Sequence, residues 1–151
     1  MIEPFIWLIA GLLVIATVSL HYEVMSFVSD RVIPWAQKHL HGRRVIAISV
    51  ISLLLGHVIE IWGFAGVTWV LVQDKSFGAF EGAPDKTWFD FLYLSATNYT
   101  SLGDGNVHLV GPVRVMAVTE ALVGMMMIAW SASFTYLKME QIWRMGHKDP
   151  K

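Results

Sequence analysis

The chain has 151 residues, of which 55% are hydrophobic and 15% are charged, and its formal net charge at pH 7 is −1. The apolar share exceeds the roughly 45–50% of ordinary soluble domains, so the composition predicts an integral membrane protein. The near-zero charge, with no basic patch among the aromatic residues, argues against nucleic acid as a partner. The lack of cysteine excludes disulfides, thiolate metal sites and cysteine nucleophiles.

Three segments are long and apolar enough to cross a bilayer, which takes about 20 largely apolar helical residues. They run from about residue 5 to 28, from 45 to 72 and from 113 to 137. Basic residues follow the first and third segments, and basic residues mark the cytoplasmic side of a membrane. We therefore expect the 30–44 linker and the C-terminus to be cytoplasmic, with the N-terminus and the 73–111 connection outside.

The 73–111 connection contains a short helical pattern and then a glycine loop. Residues 87–99, TWFDFLYLSATNY, begin with Thr87 and Asp90 at the spacing of a capping box. At 1.5 Å per residue this helix reaches only about 20 Å, too short to span, so we predict that it enters the membrane and stops. The loop ATNYTSLGDGN follows, and Pro112 suits the restart of a helix. Non-helical backbone at membrane depth indicates a water-filled, protein-lined pathway.

The loop resembles a known filter. Residues 100–106 read Thr-Ser-Leu-Gly-Asp-Gly-Asn, and potassium-channel-type pores carry Thr-Val-Gly-Tyr-Gly-Asp after a short pore helix. Residues 45–137 resemble the outer helix, pore helix, filter and inner helix of that superfamily. The chain is most similar to the small bacterial proteins of the two-helix ion-channel family, through GHVIEIW, YLSATNYTSLG and EALVGMMMIAWSASF.

The filter departs from the potassium pattern at Asp104, in place of the aromatic residue, and at Asn106. The run LGDGN resembles the VGDGN of the bacterial non-selective sodium/potassium channel. This resemblance implies a channel for Na⁺ and K⁺, with Ca²⁺ permeation or block. Glycine allows the backbone to turn its carbonyls toward one axis, and an aspartate ring would concentrate cations. The filter residues so identified are Thr100, Ser101, Leu102, Gly103, Asp104, Gly105 and Asn106, with cation sites at Ser101, Leu102, Gly103 and Asp104.

The resemblance also implies the architecture. The fold class is an all-α membrane protein with three transmembrane helices and a re-entrant pore helix, assembled as a homotetramer in lipid, in a bacterial inner membrane. No cofactor other than permeant cations is expected. The expected divisions are an N-terminal helix (1–29), the linker (30–44), a pore domain (45–139) and a cytoplasmic tail (140–151). Within the pore domain we place the outer helix at 45–73, the pore helix at 87–99, the filter at 100–106 and the inner helix at 112–139.

Ionisable residues inside the spans are costly and call for partners or a function. His57 and Glu60 lie three apart on one helix face, and Glu120 is near the start of the third span. We expect them to bond to one another, to the pore helix or to the third span, or to sense pH. His21 and Glu23 are expected at the interface. Gly124, Trp130 and Ser131 are candidates for a hinge or gate.

Three alternatives stay open beside the non-selective channel, which is not an enzyme. One is a K⁺-selective channel of the same fold. Another is a non-conducting subunit. The third is a membrane metalloenzyme, whose ligands would be His21, Glu23, His57, Glu60 and Glu120.

Overall fold

The structure is a computed structural model, and it describes residues 2–40, 42–83, 85–103 and 105–147. Within these ranges five α-helices follow one another. They are α1 (Ile2–Phe27), α2 (Ile33–His39), α3 (Arg43–Leu71), α4 (Trp88–Tyr99) and α5 (Arg114–His147). A π-helical turn, Val28–Val32, joins α1 to α2.

Three helical stretches are long and apolar enough to cross a membrane, which confirms the predicted spans. They are Glu3–His39, Arg43–Leu71 and Arg114–Arg144. Large apolar side chains stay exposed along each of them, including Leu12, Leu54 and Leu122. A helix that is apolar on every side is stable only inside lipid or against other protein. The exposed apolar side chains therefore agree with a protein that lies in a membrane.

The short helix α4 begins where the sequence predicts. The Asp90 carboxylate accepts from the Thr87 backbone N–H at 2.6 Å and from the Thr87 hydroxyl at 2.8 Å. The Thr87 side chain in turn accepts from the Asp90 backbone N–H, and this exchange is the capping box expected from the spacing of the two residues, which is confirmed. The helix ends at Tyr99, and the 100–106 loop follows directly.

The structure also has a two-stranded sheet, which the all-α prediction missed. One strand precedes α4 in the chain, and the other follows the loop. Strand β1 (Ala79–Glu81) pairs antiparallel with β2 (His108–Val110), with Phe80 opposite Leu109. The Phe80 ring packs 4.7 Å, between centroids, from the Phe91 ring of α4. The sheet thus joins the segment before α4 to the segment after the loop and packs against the helix.

The close approach between the chain after β1 and the end of the loop requires a glycine. Gly82 has φ +97°, and a Cβ atom there would lie 1.7 Å from the main-chain oxygen of Asn106. Any other residue would collide with the backbone that returns from the loop. The end of β1 is therefore in direct backbone contact with the end of the loop.

The described chain divides into two compact units, each with its own core. The first comprises Met1–Val18 and Val58–Met126. Its buried apolar residues include Phe64, Phe80, Phe91, Tyr99, Val113 and Met116. The second comprises Ser19–His57 and Met127–Lys151. Its core is built from Met25, Val28, Ile33, Ala36, Val45 and Leu53.

Candidate functional site

The last turn of α4 is bonded to α3. The Tyr99 hydroxyl donates a hydrogen bond to the Glu60 carboxylate, and both side chains are almost completely buried. A buried carboxylate that lost this donor would remain away from water with one bond fewer, at a cost of about 1–3 kcal/mol. The pair therefore holds the residue that immediately precedes the 100–106 loop.

One turn earlier, α4 is bonded to both α3 and α5. The Ser95 hydroxyl oxygen lies 2.7 Å from the main-chain oxygen of Ile61 on α3. It is also hydrogen-bonded to the Glu120 side chain of α5. Ser95 and Glu120 are both buried. Ser95 and Tyr99, four residues apart, thus present one polar face of α4 to two buried acids.

The backbone of α5 touches the end of α4 at Gly124. A Cβ atom on Gly124 would lie 2.2 Å from the main-chain oxygen of Tyr99 and 2.9 Å from its Cγ atom. These distances leave no room for any side chain. Gly124, a predicted hinge or gate candidate, is therefore a point of close contact between α5 and α4.

The loop itself folds back on the C-terminal end of α4. The backbone N–H of Ser101 donates to the Asn98 carbonyl at 2.8 Å, and that of Gly103 donates to the Thr97 carbonyl at 3.1 Å. Gly103 has φ +67° and Ser101 has φ +56°. The second value is uncommon for a residue with a side chain and marks local strain. Such strain persists only where the surrounding structure imposes it.

The loop residues are open to the surroundings. Thr100, Ser101, Leu102, Gly103, Gly105 and Asn106 are all exposed, and the apolar Leu102 is 77% exposed. Asp104, the residue on which the selectivity prediction depends, lies outside the described residues.

Ahead of α4, an exposed acid caps the short 3₁₀ turn Lys75–Phe77. The Ser76 backbone N–H donates to the Asp74 carboxylate at 2.9 Å. This hydrogen bond to the charged form lowers the pKa of Asp74. Asp74 therefore adds negative charge to the segment that leads into α4.

In the second unit, three buried polar side chains from three helices meet. The Ser131 hydroxyl lies 3.1 Å from the Nε2 atom of His57 and 3.1 Å from the Nε2 atom of His21. A hydroxyl carries one proton, so it donates to one imidazole and accepts from the other. His21, expected at the interface, is instead completely buried, and Trp130 packs its ring 5.7 Å from that of His21.

The structure thus gives each predicted ionisable residue a defined environment. Glu60 and Glu120 each contact α4, and His57 contacts Ser131 of the third span. The short helix and the third span are two of the partners that the sequence led us to expect for these residues. Glu23, a proposed ligand of the metalloenzyme alternative, is exposed. The partners Ser95 and Tyr99 were missed, although their spacing on the predicted helix is a signal that could have identified them.

A capped short helix and a strained glycine loop lie between the second and third apolar helices, and the helix is bonded to both. These features define a helical membrane protein with a loop held between two spans. The family model described as "Ion channel" (Ion_trans_2) matches residues 56–141, more than half of the chain, and the chain belongs to this two-helix ion-channel family. The matched segment includes α4 and the loop. Searches of curated proteins and of solved structures gave no match.

Proposed function

We propose that this chain is one subunit of a homotetrameric cation channel, with α4 as its pore helix and residues 100–106 as its selectivity filter. The observation that carries the proposal is the exposed, strained loop that directly follows a helix bonded to both neighbouring spans. Four such loops around one axis would form rings of oxygen ligands that replace the hydration shell of a cation. Oxygen ligands suit alkali and alkaline-earth ions.

The exposed side chains support an assembly rather than a single subunit. A single chain supplies one loop, so a closed ring of loops needs several copies related by rotation. Leu102 is open in the isolated chain, and apolar residues remain exposed along all the spans. Contact with neighbouring subunits would cover Leu102 and part of these surfaces.

Helix α4 would favour cations at its C-terminal end. The last carbonyl groups of a helix carry a partial negative charge that falls off within the last turn. Tyr99 is the last residue of α4, and its position is held by Glu60 and by the close contact with Gly124. In the proposed tetramer these ends would lie near the filter and lower the energy of a cation there.

We assign the channel to the non-selective class, conducting Na⁺ and K⁺, with Ca²⁺ permeating or blocking. The support is the sequence at Asp104 and Asn106, where potassium-selective filters have an aromatic residue and an acid. An aspartate ring would attract cations of either size and hold divalent ions most strongly. The basic residues around residues 30–44 and after the third span support a cytoplasmic C-terminus.

Assembly and conduction can be tested together on the purified full-length protein. Native mass spectrometry should give the mass of four chains. Liposomes that contain the protein should take up both Na⁺ and K⁺ down their gradients, while protein-free liposomes should not. A monomer with no ion uptake would contradict the proposal. Uptake of K⁺ alone would support the channel but assign it to the K⁺-selective class.

A further inference from the structure

The Ser95 hydroxyl is in contact with two oxygen atoms, one from Ile61 and one from Glu120. It has one proton, so it cannot donate to both of them. The Ser95 oxygen lies 2.7 Å from the main-chain oxygen of Ile61, and it is also hydrogen-bonded to the Glu120 carboxyl group. A main-chain oxygen only accepts, and an ionised carboxylate only accepts as well. The serine hydroxyl has a single proton to donate.

The proton count therefore depends on the state of Glu120. If Glu120 were ionised, the hydroxyl proton would serve the carboxylate, and the oxygen atoms of Ser95 and Ile61 would face each other at 2.7 Å without a proton between them. If Glu120 is neutral, its own O–H donates to Ser95, and Ser95 donates to Ile61. Each of the two contacts then has a proton of its own.

We infer that Glu120 is a protonated carboxylic acid that donates to Ser95, and that it is a positioning residue for the 100–106 loop. The second part of this inference rests on the proposed channel function. The resulting chain of bonds runs from α5 through α4 to α3, with one donor at each step. Nothing in it requires a charge to be buried inside the membrane.

The surroundings of Glu120 favour the neutral form. Glu120 is 2% exposed and lies within an apolar span, where a charged side chain is costly. The polar groups that face it come from α4, namely Ser95 and the side chain of Asn98, and the hydrogen bond from the Asn98 amide favours the charged form less than burial favours the neutral form. The titratable groups nearby are Tyr99 of α4 and Glu60 of α3, which are bonded to each other. Since Glu60 is also an acid, ionising both would add repulsion between like charges.

The neutral acid fixes α4 one turn before the loop. Ser95 is held by Glu120, Tyr99 is held by Glu60, and the loop begins at the next residue. Two attachments one turn apart restrict both the position of α4 and its rotation. Removal of the proton at high pH would turn the Ser95 hydroxyl toward the Glu120 carboxylate, leave the Ser95–Ile61 contact without a proton and loosen the attachment of α4 to α3.

Infrared spectroscopy of the reconstituted full-length protein tests the protonation directly. The wild type should show the C=O stretching band of a protonated carboxylic acid, Glu120→Gln should lose it, and raising the pH should remove it from the wild type. Glu140→Gln is the control, because Glu140 is also on α5 but is paired with Arg144 at the surface. This control should keep the band. If the difference between the infrared spectra of the wild type and Glu120→Gln contains only bands of ionised carboxylate, the inference is overturned.

The positioning role is tested by the Na⁺/K⁺ permeability ratio. Glutamine at 120 keeps an N–H donor for Ser95, so Glu120→Gln should leave the ratio unchanged, whereas Glu120→Ala and Ser95→Ala should shift it. A wild-type ratio in both alanine variants would refute the role. If the Gln variant does not assemble, the pH titration of the wild-type band and the Ser95→Ala ratio decide. An infrared band of the protonated acid, with no ion current, would support the protonation of Glu120 and contradict the proposed channel function. An ion current without that band would support the channel function and contradict the protonation.

Discussion

A Cβ atom on Gly124 would lie 2.2 Å from the main-chain oxygen of Tyr99. This contact joins the middle of α5 to the residue that ends α4. Because the loop starts immediately after Tyr99, a displacement of α5 at this point would displace the start of the loop as well. The contact is therefore a direct mechanical connection between the third span and the proposed filter.

Replacement of Gly124 by alanine should destabilise the first unit. The added methyl group must push apart two backbones, and overpacking of this kind typically costs about 1–3 kcal/mol. Thermal unfolding and tetramer retention in detergent would measure the effect. Gly63→Ala is the matched control, since a Cβ atom at Gly63, in the middle of α3, meets nothing within 4 Å. Equal stability of the two variants would argue against the close contact.

Tyr99→Phe should lower stability and alter ion permeability without changing the packing of the ring. The variant removes only the hydroxyl that donates to Glu60, and the loss of a donor to a buried acid costs about 1–3 kcal/mol. The midpoint of thermal unfolding should fall, and the Na⁺/K⁺ permeability ratio should change. Tyr136→Phe, at an exposed position of α5, should change neither quantity. Identical behaviour of the two variants would show that the Glu60 bond does not hold the loop.

Ser131→Ala should destabilise the second unit. The serine bonds to His21 and to His57, so the variant takes one hydrogen bond from each imidazole. The expected cost is about 1–3 kcal/mol for each imidazole deprived of a bond. Ser133→Ala is the control, because Ser133 is exposed and bonds only to the Ala129 carbonyl of its own helix among the contacts seen. A control as unstable as the variant would mean that the shared hydroxyl contributes little.

Asp104→Asn should weaken the block or permeation of Ca²⁺ while the tetramer still assembles. The substitution keeps the size of the side chain and removes the charge that would concentrate divalent ions near the axis. Currents carried by Na⁺ should be recorded at increasing Ca²⁺ concentrations in both proteins. Unchanged Ca²⁺ sensitivity would indicate that the aspartate does not face the ion path. Asp85→Asn, at an exposed position of the same connection between the second and third spans, is the control for a general loss of charge.

Sequence patterns predict the membrane-spanning helices and the start of α4, because these depend on the length of an apolar run and on residues close together in the chain. A run of apolar residues is sufficient to identify a span, and Thr87 with Asp90 is sufficient to identify the start of α4. The pairing of β1 with β2 escaped prediction because each strand has three residues and its partner is far along the chain. Strands of that length are too short to show a clear alternation of apolar and polar residues, and the paired residues lie on either side of α4 in the chain.

The partners of the buried acids were only partly predictable. The cost of burying Glu60 and Glu120 predicts that each has a partner, and the structure provides one for each on α4. Which residue it is depends on the rotation of α4 about its axis, a tertiary property. His21 shows the same limit, since its burial follows from the packing of other helices and not from its own neighbours in the sequence.

The central claim is that this protein forms a cation pore that does not discriminate between Na⁺ and K⁺. Planar bilayer recording of the purified wild type, with Na⁺ on one side and an equal concentration of K⁺ on the other, tests it most directly. We expect discrete single-channel openings that reverse close to zero voltage. A large reversal potential, of the sign that opposes K⁺ flow toward the Na⁺ side, would contradict the non-selective assignment, and the absence of openings would contradict the pore itself.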